Sequence, residues 1–122
     1  MIRVLLAEDQ AMVRGALASL LGLEDDIQVV AEAGRGDEVL DAARAAAPDV
    51  ALLDIGLPGL DGLEVARRIR ARSGAHRPLL VAVTGLGRVE DHQRSADAGF
   101  DHHLVKPIDL AALAALLDGP RA

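Results

Sequence analysis

Five polar residues stand one step beyond short apolar runs, and their types suit phosphoryl transfer. Glu8 and Asp9 follow one run, Asp54 a second, Thr84 a third and Lys106 a fourth. Three acids brought together repel one another, and a hard cation relieves that repulsion; Mg2+ prefers carboxylate, carbonyl and water oxygens. Lys106 adds a compensating positive charge and Thr84 a hydroxyl donor. A carboxylate nucleophile flanked by Mg2+, an ammonium group and a hydroxyl is equipped to attack phosphorus in line and form an acyl phosphate. The metal and Lys106 would neutralise charge on the equatorial oxygens.

Each residue has an ordinary reading beside this one. Asp9 precedes a helical pattern and suits an N-cap. Glu8 suits a solvated loop, Asp54 and Thr84 suit turns, and Lys106 before Pro107 suits an exposed surface. The chemistry rests on their joint placement at the ends of strands.

The elements that must position them alternate in type. Apolar runs rich in β-branched residues predict buried strands over Ile2–Ala7, Ile27–Ala31, Val50–Leu53, Leu79–Val83 and, more weakly, His103–Val105. Helical spacing predicts a helix with Val13, Ala16, Leu17, Leu20 and Leu21 on its apolar face. A second carries Val39, Leu40, Ala43 and Ala47, a third Val65, Ala66 and Ile69, and a last one Leu110, Leu113, Ala114 and Leu117. The segment from Arg88 to Ala98 has only Val89, Ala96 and Ala98 to bury, which predicts a weakly anchored helix. Five βα units imply an α/β fold, a doubly wound parallel sheet with right-handed crossovers. Such sheets bind ligands at the C-terminal ends of their strands, where the five polar residues fall.

Composition narrows the function classes. The 122 residues suit one domain, and 51% hydrophobic with 26% charged residues reads as globular. Phe100 is the only aromatic residue, so the core must be aliphatic. No cysteine is present, which excludes disulfides and thiolate metal sites. The N-terminal apolar run is too short for a secretory signal, and no stretch reaches the length of a membrane span. These features predict a cytoplasmic location and no membrane partner. A net charge of −6 argues against direct binding of nucleic acid. The domain is expected to span residues 1–119, with 120–122 a C-terminal tail.

The segment Asp54-Ile55-Gly56-Leu57-Pro58-Gly59-Leu60-Asp61-Gly62 resembles the phosphoacceptor signature of response-regulator receiver domains, D-x-x-[LM]-P-x-x-[DS]-G. Val105-Lys106-Pro107 resembles that family's lysine motif, Glu8-Asp9 its acidic pair and Val83-Thr84-Gly85 its switch threonine. The resemblance covers essentially the whole chain. It implies a flavodoxin-like, CheY-like fold, (βα)5 with strand order 2-1-3-4-5. It implies a two-component phosphorelay switch rather than an enzyme in its own right. Asp54 would accept a phosphoryl group from a sensor histidine kinase or a histidine phosphotransfer protein. Mg2+ would be bound by Asp9, by Asp54, by the Gly56 carbonyl, and by Glu8 mostly through water. Lys106 would contact the phosphoryl oxygens, preceding a cis bond to Pro107, and Thr84 would swing in to hydrogen-bond the group. Gly56 and Leu86 would help to set its lifetime. The fourth helix, fifth strand and fifth helix would form the partner-facing surface and a possible homodimer interface.

One position departs from that pattern. Where the family often has Tyr or Phe coupled to the threonine, this chain has His103, smaller and titratable. His102 and His103 beside Asp101 could suggest a metal site, but neighbouring strand residues point to opposite faces. His76 and His92 read as surface residues. The first half of the chain resembles receivers joined to helix-turn-helix outputs. The second, especially residues 98–107, resembles receivers of hybrid histidine kinases, a pattern that divergence or engineered recombination would produce.

Three other classes fit the sheet. An aspartyl-phosphate hydrolase needs a general acid two residues after the nucleophile, where this chain has Gly56. A flavin or nucleotide carrier lacks a Gly-rich phosphate loop and an aromatic stack here. A non-switching or chimeric receiver serving only as a scaffold would keep the fold and lose the chemistry.

Overall fold

The computed structural model describes residues 1–72, 78–84, 89–106 and 108–118. Ten elements alternate along it: β1 (Ile2–Ala7), α1 (Ala11–Leu21), β2 (Ile27–Ala33), α2 (Gly36–Ala46), β3 (Val50–Asp54), α3 (Gly62–Arg72), β4 (Leu79–Thr84), α4 (Val89–Ala98), β5 (His102–Val105) and α5 (Leu110–Asp118). The strands form one parallel sheet in the order β2-β1-β3-β4-β5. The fold class and strand order are those expected from the sequence.

Residues in register across the sheet share a face. Leu5, Ala51 and Leu80 align, as do Ala7, Leu53 and Ala82. They pack with Val39 of α2, with Leu63, Val65, Ala66 and Ile69 of α3, and with Ala98 and Phe100. The opposite face carries Val4, Leu6, Val50, Leu52 and Val81, covered by Leu21 of α1 and Leu113 of α5. Every residue of β3 is buried, as the central strand of a sheet covered on both faces requires. The lone aromatic, Phe100, lies in the first of these cores.

The strands run further than their apolar runs. β2 continues to Ala33, and β3 and β4 take in Asp54 and Thr84 as their last residues. Strand pairing, unlike hydrophobic patterning, does not stop at a polar side chain. The β1–β2 register shifts between Val4 and Leu5, which pair with Val29 and Ala31.

Two helix expectations need correction. On α1, Val13, Ala16 and Leu20 are exposed and Met12 is 89% exposed; Leu21 is buried and Leu17 partly so. This helix has more apolar surface than the sheet beneath it covers. On α4, Ala96 is exposed, while Ser95 is buried together with Ala98. The hydroxyl is tolerated inside because it has a hydrogen-bond partner on β5. The side chains of Val89, His92, Leu110 and Leu117 lie outside the described residues, as do His76, Gly85, Leu86, Arg88, Pro107 and 119–122. Among the described residues, no helix is long and apolar enough to cross a membrane.

Candidate functional site

The C-terminal edge of the sheet gathers the acids and the lysine. One ligand oxygen from each of Glu8, Asp9 and Asp54 falls within a group spanning 4.8 Å. Glu8 and Asp54 are buried and Asp9 is exposed. Asp9 is not a helix cap: Gln10 occupies that position, and its side chain makes no capping bond. The ordinary reading of Asp9 thus loses its basis.

Lys106 stands between the two buried acids. Its Nζ lies 2.8 Å from Glu8 Oε2 and donates to Asp54 Oδ2 at 2.9 Å. Asp54 Oδ1 accepts the Gly56 N–H at 2.9 Å, and Glu8 Oε1 accepts the Gln10 N–H at 3.2 Å. Each buried carboxylate therefore has one main-chain donor and a share of the ammonium group.

The backbone around the pocket is cross-tied. The Ile55 N–H donates to the Val83 carbonyl, and the Lys106 N–H donates to the Thr84 carbonyl. Thr84, the last residue of β4, pairs with Val105 in the sheet and so borders the lysine strand. Gly62 closes the turn after Asp54 by donating to the Ile55 carbonyl. Only glycine fits there, since a Cβ would lie 2.6 Å from the Asp54 carbonyl oxygen.

Burial is the largest influence on Glu8 and raises its pKa. The hydrogen bonds from Lys106 and Gln10 oppose this, and the nearby Asp54 charge reinforces it. Burial alone would lower the pKa of Lys106, but its hydrogen bonds to Glu8 and Asp54 outweigh that and hold it raised. Pairing by itself would lower Glu8; for an acid this deeply buried beside a second carboxylate, desolvation and repulsion prevail.

The donor set fits a hard divalent cation. Three carboxylates converge, no thiolate or imidazole is among them, and two of the acids are buried with only one ammonium group between them. Among the described residues this is the one such convergence of three acidic or imidazole groups. Asp101 takes no part in a histidine site: its carboxylate accepts from Arg70 and from the Leu80 N–H. His102 is exposed. His103 is half-buried, with Nδ1 3.0 Å from the Ser95 hydroxyl.

Two contributors escaped the sequence reading. Ser95 looked like one more polar residue in a polar helix. Arg14 donates from Nη1 to the main-chain carbonyl of Glu8 at 2.6 Å. One signal pointed to it: Arg14 is the single charged residue of α1.

A comparison with protein families matches residues 4–118 to the response regulator receiver domain. The chain belongs to the response-regulator receiver family. The matched range takes in both halves of the chain. Among curated proteins, the transcriptional regulatory protein DesR of Bacillus subtilis is 39% identical over 106 residues, covering 87% of this receiver and 51% of DesR. The receiver spans about half the length of the curated relatives it matches. Among solved structures, a DNA-binding response regulator of the LuxR family from Staphylococcus aureus superposes with a TM-score of 0.87 at 26% identity, over 97% of each chain. The BeF3-activated N-terminal receiver domain of RstA from Klebsiella pneumoniae gives 0.84 at 32% identity, over 94% of each.

Proposed function

We propose that this receiver is a Mg2+-dependent phosphorylation switch with Asp54 as the phosphoacceptor. The observation that carries the reading is the Lys106 ammonium group held between Glu8 and Asp54, beside Asp9, at the C-terminal edge of the sheet.

Asp9, Asp54 and the Gly56 carbonyl would hold the cation directly and Glu8 through water; once bound, it supplies charge neutralisation at the phosphoryl oxygens. An oxygen of Asp54 attacks phosphorus in line, forming the aspartyl phosphate and releasing the donor. The donor is the phosphohistidine of a sensor kinase or phosphotransfer protein, or a small acyl phosphate. Lys106 moves from its carboxylate partners to a phosphoryl oxygen, and Thr84 donates its hydroxyl to another. The product adds about two negative charges where buried acids already crowd, which favours rearrangement of the neighbouring segments. His103 takes the place of the switch aromatic and reports to α4 through Ser95.

The α4–β5–α5 face, with Val105 40% exposed, is the surface offered to partners and to a second copy. The domain acts as a cytoplasmic switch and not as an enzyme on other substrates. At a net charge of −6 it does not itself contact DNA. Relatives named as transcriptional regulators are about twice as long, and any such output would belong to their remaining halves.

Intact mass after incubation with Mg2+ and acetyl phosphate tests the proposal. The chain is expected to gain one phosphoryl group, dependent on Mg2+, and Asp54→Asn to gain none. Full labelling of Asp54→Asn would remove Asp54 from the role.

A further inference from the structure

Among the described residues, Arg14 is a cation near the pocket to which the proposed chemistry gives no part. Arg14 extends from the first turns of α1 to the edge of the acidic pocket, and three observations define its place. Nη1 donates to the Glu8 carbonyl at 2.6 Å. Nε lies 3.6 Å from Glu32 Oε1, near the end of β2. Gly34 leaves room for the guanidinium, since a Cβ there would stand 3.0 Å from Nη1.

The carbonyl that Arg14 holds belongs to the peptide joining Glu8 to Asp9. The other main-chain group of Glu8, its N–H, donates to the Ala33 carbonyl at 3.0 Å. The acidic pair is therefore held from both sides, by β2 and by α1. The plane of the Glu8–Asp9 peptide sets the directions from which the two carboxylates leave the backbone. Without Arg14 that peptide loses its side-chain donor and can rotate into solvent beside exposed Asp9.

We propose that Arg14 is a positioning residue for the divalent cation: by fixing the Glu8–Asp9 peptide it sets the Mg2+ affinity of the acidic pocket. This rests on the reading of the pocket as a Mg2+ site. A second effect runs the other way, because a positive charge near the pocket repels the cation. Glu32 offsets that charge, whereas nothing else among the described contacts replaces the hydrogen bond to the Glu8 carbonyl. The orienting hydrogen bond is therefore expected to outweigh the repulsion, since loss of a partner that orients a metal ligand typically lowers metal affinity.

The test is calorimetric titration of the whole chain with Mg2+, with thermal melts in chelator alongside. Arg14→Ala is expected to weaken Mg2+ binding by about tenfold, within the range for loss of an outer partner of a metal ligand. Arg14→Met, which keeps the apolar stem and the helix propensity, is expected to do the same and serves if the alanine variant fails to fold. Arg14→Lys retains a donor and is expected to recover most of the affinity. Arg68→Ala removes an equal charge from α3, where it pairs with Glu64, and is expected to bind as wild type does. At saturating Mg2+, acetyl phosphate should label Arg14→Ala to the wild-type endpoint, which a broken fold would not allow. Unchanged or tighter binding by Arg14→Ala or Arg14→Met, with wild type binding normally, overturns the role of Arg14. Wild type that binds no Mg2+ overturns the metal reading itself, and this inference with it.

Discussion

The Glu8 carboxylate is buried against a second acid. It is 2% exposed, and its raised pKa shows that burial and Asp54 outweigh the pairing with Lys106. A carboxyl with a folded pKa above its ordinary 4.5 costs nothing when protonated in both states, and its penalty grows as pH rises through the folded value. Glu8→Gln keeps the shape and removes the charge. In chelator at pH 7 it is expected to raise stability by about 1 kcal/mol, roughly 4 °C in melting temperature. The gain should shrink toward acid pH, as wild-type Glu8 protonates itself. A lower melting temperature at pH 7 would show that the Lys106 pairing dominates. Lys106 has the opposite profile: its raised pKa contributes stability at neutral pH that is lost only as pH rises past the ordinary lysine range, 10.5 and above.

At the scale of elements, the loops bearing the site are fitted to one another through glycine. The Gly36 N–H opening α2 donates to the Pro58 carbonyl, and a Cβ on Gly36 would lie 1.5 Å from the Leu60 carbonyl oxygen. The loop between β3 and α3 is thus pressed against the start of α2, and Gly62 presses it against the Asp54 backbone. Gly15, by contrast, lies inside α1 with nothing within 4 Å of its missing Cβ. The two alanine substitutions should therefore differ in sign. Gly15→Ala is expected to add about 0.5–1 kcal/mol through helix propensity alone. Gly62→Ala is expected to cost about 2–3 kcal/mol by forcing backbone apart. Urea denaturation of both variants measures this, and equal effects would refute the packing argument.

For the molecule as a whole, Arg70 ties elements remote in sequence. From α3 its guanidinium donates to the carbonyls of Pro78 and Gly99 and to the carboxylate of Asp101. Asp101 also accepts the Leu80 N–H, so one side chain links α3, the start of β4 and the turn before β5. Gly99, at φ +108°, fits against the Arg70 stem, with its missing Cβ only 2.7 Å from Cγ. Arg70→Ala takes the guanidinium from two carbonyls and leaves the Asp101 carboxylate with the Leu80 N–H, and is expected to cost about 3 kcal/mol in chemical denaturation. A loss under about 1 kcal/mol would mean that water replaces the guanidinium at these groups.

The sequence alone determined the five βα units, the parallel sheet and the residues at its strand ends. Hydrophobic period and chain direction depend only on local order, and a parallel sheet puts every strand end on one edge. It was less reliable on helix burial. Apolar spacing on α1 reports what could be buried, while the sheet decides how much is covered, and Met12, Val13 and Leu20 stay outside. Only the tertiary structure decided that the Lys106 amine reaches Asp54 across 52 residues of sequence, that Arg14 grips the Glu8 carbonyl, and that His103 meets Ser95. Such contacts depend on a few ångströms of spacing between packed elements and often end on a main-chain carbonyl, which every residue carries and no residue type announces.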